Sequence, residues 1–133
     1  MVSGSASAII AMHKRRLEEV SRRAYVELAE RVVERTPVES GTARASWTPT
    51  LGAPVAETQW RNDAVGGFPQ RASVEAVARA LRPGDSASFV NNAPYARVIE
   101  FGWAGDRLPV GMVRRSVAEW QAIVDGAVRE VRR

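Results

Sequence analysis

Apolar residues in the first quarter of the chain recur at steps of three and four, as on one face of an α-helix. This stripe comprises Ile10, His13, Leu17, Val20, Ala24, Leu28 and Val32. Ser5 or Ser7 is suited to cap its start, and Pro37 predicts an end near Arg35, because proline disfavours the α conformation in the preceding residue. A helix over residues 6–35 would be about 45 Å long, longer than a domain of 133 residues is wide. We therefore expect part of it to project or to pack against a neighbouring subunit.

Three acidic residues of this helix each precede an arginine by four positions. The pairs are Glu18 with Arg22, Glu19 with Arg23, and Glu27 with Arg31. Side chains four apart are neighbours on a helix surface, and an acid placed before a base adds a few tenths of a kcal/mol. The charges therefore support the same helix that the apolar stripe predicts.

The middle of the chain shows a shorter repeat. Ala43, Ala45, Trp47 and Leu51 alternate with polar residues, which predicts a half-buried strand. Pro49 makes it an edge strand or bends it, because proline cannot donate to a ladder. Residues 55–60 are a candidate second strand, and residues 62–70 are interpreted as a loop. Ser73 is expected to cap a short helix whose apolar face is formed by Val74, Val77, Ala78 and Leu81.

The last third of the chain predicts a turn at residues 82–85, a strand over 86–91 and a short helix that Gly102 ends as a left-handed cap. Pro109 is expected to open the final helix, whose apolar positions step by four and three. They are Val113, Val117, Trp120, Val124, Ala127 and Val131. The expected core comprises Trp47, Phe89, Val113, Val117, Trp120 and Val124.

The order of elements predicts one α+β domain over residues 1–133. It has a long N-terminal helix, a small and mostly antiparallel sheet, short helices and a long C-terminal helix. A hydrophobic content of 45% and a charged content of 26% are typical of a globular domain. No apolar run approaches the roughly 18 residues of a membrane span, and the basic residues after Ala6–Met12 stand on the wrong side for a signal peptide. We expect a soluble protein that is not exported and has no membrane partner.

The composition also limits which kinds of catalytic site, disulfide and metal site the chain can form. The chain has no Cys, which excludes a disulfide framework, a thiolate metal site and a cysteine nucleophile. Its one histidine, His13, lies on the apolar stripe without a nucleophile motif nearby. Asp85, Glu100 and Asp106 are acids outside the long helices, but their spacing matches no cation-binding loop. We therefore expect no catalytic residue, cofactor or metal.

Arginine dominates the basic residues. Of 19 basic residues only Lys14 is a lysine, and the formal net charge is +4. Arg114, Arg115, Arg129, Arg132 and Arg133 lie on the predicted last helix, either as a solvated face or as a positive rim near DNA or an acidic partner. The alternative function is accordingly a small Arg-rich DNA-binding protein, whose affinity should fall steeply with salt.

A large aromatic residue, Trp103, lies in a loop between two turn signals. A tryptophan in a loop is either tucked onto the core or presented to a partner, because this residue type is enriched among the energetically dominant positions of interfaces. Asp106 and Arg107 flank it and could supply a polar rim. Both interpretations remain open on the sequence.

Two segments, residues 36–47 and 82–117, resemble the tail completion proteins of tailed bacteriophages. This family of head–tail joining (neck) proteins includes the minor tail protein Z of phage lambda. The matching positions are Pro37, Val38, Gly41, Arg44, Ala45, Ser46 and Trp47, then Gly84, Asp85, Asn92, Pro94, Tyr95, Ala96, Glu100, Gly102, Trp103, Pro109, Gly111, Met112, Val113 and Arg114. The residues between Trp103 and Pro109 depart from the family pattern. The order and approximate spacing agree over residues 30–120.

The resemblance implies a virion structural protein without enzymatic activity, which completes the tail and joins it to the head. Rings, usually hexameric, are implied at this position. The implied partners are further copies of the chain, the head-completion or stopper ring, the tail terminator or tail tube, and genomic DNA in the channel. The implied location is the virion neck, with assembly in the host cytoplasm. The candidate interface comprises Tyr95, Glu100, Trp103, Asp106, Arg107 and Arg114.

Substitution of Trp103 by alanine separates the two interpretations of its loop. At an interface, Trp103→Ala should leave the melting temperature nearly unchanged and abolish tail–head joining. If the indole instead caps the core over Tyr95 and Met112, its loss should cost about 3 kcal/mol and lower the melting temperature by several degrees. Thermal melting and a joining assay on the same preparation measure both. Normal joining at normal stability would contradict both interpretations.

Overall fold

A long N-terminal helix, α1 (Val2–Glu34), is the element against which most of the chain packs. A computed structural model describes residues 2–37, 41–55, 67–102 and 109–132. The remaining elements follow in the order α2 (Gly41–Ala45), β1 (Trp47–Leu51), α3 (Arg71–Ala80), β2 (Ala87–Asn91), α4 (Ala96–Phe101), α5 (Met112–Ala118) and α6 (Trp120–Arg132). The predicted α+β class is confirmed.

Helices α3 and α6 both run antiparallel to α1. Arg71, at the start of α3, forms an ion pair of 3.0 Å with Glu30, whereas the Arg22 guanidinium lies 3.5 Å from the carbonyl oxygen of Leu81, just past the end of α3. Helix α6 begins beside residues 31–35 of α1, and its last two turns share a groove with residues 19–23. The first half of α1 therefore extends beyond both neighbours. Residues 6–17 are exposed apart from half-buried Ala11, so part of α1 projects as expected.

The ends of α1 test its two predicted boundaries. The helix stops at Glu34, within one residue of the end that Pro37 predicts. The helix begins at Val2, four residues before the predicted start, so Ser5 and Ser7 lie inside it and neither is its N-cap. The three predicted acid–base pairs are confirmed, with N–O distances of 3.5, 3.0 and 2.8 Å.

The sheet consists of β1 and β2, paired antiparallel with Trp47 opposite Asn91 and Leu51 opposite Ala87. The rings of Trp47 and Phe89 stack with centroids 5.2 Å apart. The strand predicted to start at Ala43 was wrong over its first half, which forms α2. Ala43 and its neighbour Arg44 are both buried, whereas adjacent residues of a strand point to opposite faces. The candidate strand at 55–60 lies outside the described residues except for Val55.

The core joins the end of α1 to the sheet, α4 and α5. It comprises Val32, Val33, Ala43, Trp47, Ile99 and Met112, with Phe68, Phe89 and Val110 packed against it. Trp47 is buried as predicted, while Phe89 and Val124 are only half-buried.

The prediction for the C-terminal region was wrong in two respects. Two helices replace the single one, starting at Met112 after Gly111 and interrupted at Glu119. Val113, Val117 and Trp120 are exposed, Val117 by 52%, whereas the buried residues of the two helices are Met112, Ser116, Ile123 and Ala127. Ser116 can occupy a core position because its hydroxyl is satisfied, donating to the carbonyl oxygen of Met112 at 2.6 Å.

Two predicted caps were also wrong. The N-cap of α3 is Gln70, without a side-chain capping bond, and Ser73 lies inside the helix. The predicted apolar face of this helix is nevertheless confirmed, with Val74, Ala78 and Leu81 buried. Gly102 ends α4 with a positive φ of 78°, but its ψ of 173° differs from the left-handed helical value.

A buried arginine closes the end of α1. Arg44 is 7% exposed, and its guanidinium donates to the carbonyl oxygens of Thr36 at 2.7 and 3.0 Å, of Glu34 at 3.1 Å and of Gly67 at 2.9 Å. The Thr36 hydroxyl donates to the carbonyl oxygen of Val32 and accepts a 2.9 Å bond from the Trp47 indole. A cation at this position also interacts favourably with the negative end of the helix dipole. We call Thr36, Arg44 and Trp47 the α1 cap.

Replacing Arg44 by lysine tests the α1 cap. Arg44→Lys retains the charge but cannot reproduce the planar fork, so buried carbonyl groups lose their donors at a cost of about 2 kcal/mol or more. Urea unfolding measures the loss. The matched control is Arg79→Lys, an exposed position on α3, with an expected change within about 0.5 kcal/mol. Equal stability of the two variants would contradict the role given to Arg44.

Candidate interaction surface

The six residues of the predicted interface divide into two groups. Trp103, Asp106 and Arg107 lie outside the described residues, so the hypothesis about their loop stays a prediction. Tyr95, Glu100 and Arg114 are described. The structure brings Glu100 and Arg114 together, and Tyr95 is exposed at the N-cap of α4.

Glu100 has an intramolecular role that the sequence did not reveal. It is 7% exposed, and its carboxylate accepts hydrogen bonds from the backbone N–H groups of Val113 at 2.8 Å and Arg114 at 3.0 Å. The Arg114 side chain returns to Glu100 with a 3.2 Å ion pair and a 2.7 Å bond to its carbonyl oxygen. A carboxylate that satisfies free N–H groups in the first turn of a helix stabilises that end. Glu100 therefore holds α5 against α4.

Apolar and aromatic side chains are exposed along α4, α5 and the start of α6. The Phe101 ring lies between two guanidinium groups, 5.4 Å from that of Arg97 and 4.8 Å from that of Arg114, and it is 52% exposed. Val113, Val117 and Trp120 continue the exposed row. Aromatic residues and arginine are enriched at protein interfaces. We call Phe101, Val113, Val117 and Trp120, with Arg97 and Arg114, the α4–α6 face.

A second exposed apolar surface lies on residues 6–17 of α1, which we call the projecting segment. Its exposed large side chains are Ile9, Ile10, Met12 and Leu17, the last by 60%. The same stripe continues into the domain, where Ala24 is buried. One helix face is thus covered by the domain at its C-terminal half and uncovered at its N-terminal half. Large exposed apolar patches are uncommon on monomeric proteins and mark interaction sites.

A carboxylate at the break between α5 and α6 fixes the position of the α4–α6 face on α1. Glu119 accepts two hydrogen bonds from Arg35, at 2.7 and 2.8 Å, and one from Arg31 at 3.0 Å. Arg35 also donates to the Ser116 hydroxyl at 3.0 Å. The hydrogen bonds from Arg35 and then Arg31 lower the pKa of Glu119 from 4.5 to about 2. No spacing rule predicted this contact, because its partners are more than 80 residues apart.

The described residues also bear on metal binding and membrane insertion. Among the described residues, no group of three or more His, Asp or Glu side chains is arranged to hold a metal ion. None of the described helices combines the length and the apolar character that crossing a membrane requires. His13 is exposed on the projecting segment.

No protein-family model matches the chain, and neither the curated proteins nor the solved structures yield a match to it. The sequence resemblance therefore stays a hypothesis. Several residues that carry it have structural roles: Arg44 and Trp47 in the α1 cap, and Glu100 and Arg114 at the start of α5. These contacts explain why the two segments matter for folding, whatever the protein does.

The Glu119 contact predicts a defined acid sensitivity. Because its pKa is lower in the folded protein, the stabilisation is complete above the unfolded value near 4.5 and is lost as the pH falls towards about 2. Glu119→Gln should melt several degrees below wild type at pH 7, and this gap should close by about pH 2. Thermal melts across this pH range measure the gap. Asp125→Asn is the control, since that exposed carboxylate accepts only a Gln121 bond among the described residues. A gap that persists unchanged at pH 2 would contradict this assignment.

Proposed function

We propose that this protein is a structural component of a phage neck or head-proximal tail end, where it forms a ring that completes the tail and joins it to the head. The observation that carries the proposal is the projecting segment, a helix that leaves its own domain with an exposed apolar stripe. Most of the stability of an amphipathic helix comes from packing of its apolar face, so we expect another chain to cover this stripe. The sequence resemblance supplies the biological setting.

The number of surfaces supports a ring over a simple dimer. The projecting segment and the α4–α6 face are separate patches with different residues. A two-fold dimer uses the same patch on both subunits, whereas contact between two different patches repeats head to tail and closes into a ring when the rotation allows. We therefore propose that the projecting segment of one copy packs on the α4–α6 face of the next. The shared apolar character of the two patches supports this pairing.

The remaining partners in this proposal come from the resemblance alone. They are the stopper ring towards the head, the tail terminator or tail tube, and genomic DNA in the channel. The protein would act without catalysis, in the virion and during assembly in the host cytoplasm. The alternative, a small Arg-rich DNA-binding protein, differs in its assembly, since it requires no closed oligomer.

Native mass spectrometry of the full chain over a range of concentrations tests the proposal. The wild type should form one closed oligomer, expected to be a hexamer. A wild type that stays monomeric at tens of micromolar would contradict self-assembly and favour the alternative.

The projecting segment is tested with matched leucine substitutions. Leu17→Ser, at a position 60% exposed, should shift the protein to monomer with a melting temperature within about two degrees of wild type. Leu51→Ser is the control, because Leu51 is 46% exposed but lies on β1, outside both surfaces. Trp120→Ser on the α4–α6 face should abolish assembly as Leu17→Ser does. Normal assembly of the Leu17 variant, or equal loss in the Leu51 control, would contradict the proposed contact.

A further inference from the structure

Helices α1, α3 and α6 pack together as a three-helix layer. Basic side chains from three distant parts of the chain meet at one end of this layer. Seven of them are exposed and form no ion pair with a carboxylate within the described residues: Lys14, Arg15 and Arg16 on α1, Arg79 and Arg82 at the end of α3, and Arg129 and Arg132 at the end of α6. We call these seven residues the basic pole.

The antiparallel packing of α3 and α6 on α1 creates the basic pole. The end of α3 lies beside Arg22. Arg22, Arg79 and Arg129 line one groove of about 800 Å³ between the three helices, and the same groove is lined by four carboxylates, Glu19, Glu27, Glu75 and Glu130. Arg15 is seven residues before Arg22, about 10 Å away along the helix axis. That separation is shorter than the Debye length of about 30 Å at 0.01 M salt and longer than the one of about 8 Å at 0.15 M, so the charges reinforce one another at low salt.

The charge of the chain is concentrated at this end. With Arg22 and Arg23 included, nine basic residues stand here against five acids, Glu18, Glu19, Glu75, Asp85 and Glu130. The difference, +4, equals the formal charge of the whole chain, so the rest of the chain is neutral in sum. Two of the five acids already hold Arg22 and Arg23 in ion pairs. The net formal charge at this end is therefore positive.

The position of the pole corrects an expectation from the sequence. The sequence placed Arg114, Arg115, Arg129, Arg132 and Arg133 together on one last helix, either as a solvated face or as a positive rim. In the structure Arg114 and Arg115 lie on α5, beside the C-terminal end of α1, whereas Arg129 and Arg132 lie at the opposite end of the three-helix layer. Arg114 is moreover paired with Glu100. The basic residues of the C-terminal region thus belong to two separate surfaces.

We propose that the basic pole binds the phosphate backbone of duplex DNA without sequence preference. Six of its seven members are arginines, whose planar guanidinium groups match phosphate oxygens in two-bond contacts. Duplex DNA carries about one negative charge per 1.7 Å of axis, so cations spread over three helices all find a partner, which a compact anion could not offer. The absence of any acid in residues 2–17 extends the positive surface along the projecting segment. The inference rests on charge placement alone and holds for a monomer as well as for a ring.

Fluorescence anisotropy of the full chain with a labelled 30-base-pair duplex of arbitrary sequence tests the proposal. Two pole variants, Arg15→Gln with Arg16→Gln and Arg79→Gln with Arg129→Gln, each remove two positive charges. The matched control, Arg71→Gln with Arg115→Gln, removes two exposed charges from the other end and from outside the two proposed subunit contacts. Each pole variant should weaken binding at least tenfold at 50 mM salt and reduce the slope of log K against log salt by about 1.8. The control should change the affinity less than threefold.

Three results would overturn the proposal. The first is that the wild type shows no measurable binding to the duplex at 50 mM salt. The second is that the pole and control variants lose equal affinity, which would show that net charge and not the position of the charges governs binding. The third is a polyglutamate peptide that competes as well as unlabelled duplex at equal charge, which would make the partner an acidic protein. Thermal melts of all variants show whether each is folded. DNA binding by a monomer would keep this inference and contradict the proposed ring, so the two failures are distinguishable.

Discussion

The end of α1 is the point on which the rest of the fold depends. Four backbone carbonyl contacts converge on the buried guanidinium of Arg44, and the Trp47 indole reaches the same turn through Thr36. Helix ends leave carbonyl groups without partners, and burying them unsatisfied is costly. Here one side chain satisfies them while it ties α1 to α2 and to the segment before α3. The core around Trp47 and Ile99 lies directly beside this closed end.

The same physical device recurs where the C-terminal helices join the domain. Glu100 satisfies the first N–H groups of α5, and Glu119 receives Arg31 and Arg35 at the break before α6. These contacts orient two helices whose outward faces carry Val117 and Trp120 in solvent. Polar contacts at the helix ends therefore act together with the burial of Met112, Ile123 and Ala127 to decide which face is presented.

The proposed ring and the proposed DNA contact use different parts of one chain. Apolar residues of the projecting segment and of the α4–α6 face remain uncovered by the domain, and apolar surface is buried by association with little dependence on salt. The basic pole lies at the end from which the projecting segment leaves, and its binding is governed by counterion release. In a ring, the proposed contacts place Leu17 against a neighbour, while Arg15, two residues earlier and on the opposite side of the helix, faces a polyanion.

The sequence by itself determined the elements whose signals are local. Pro37 ended α1, the spacing of Val74, Ala78 and Leu81 identified the buried face of α3, and residues four apart formed the ion pairs of α1. Only the tertiary structure decided that Ala43 and Arg44 form a helix, that α5 and α6 separate at Glu119, and that Val117 faces solvent. The physical reason is that periodicity defines an apolar face but not what covers it. The partners of Arg44, Glu100 and Glu119, like the members of the basic pole, are brought together by the packing of segments far apart in the chain.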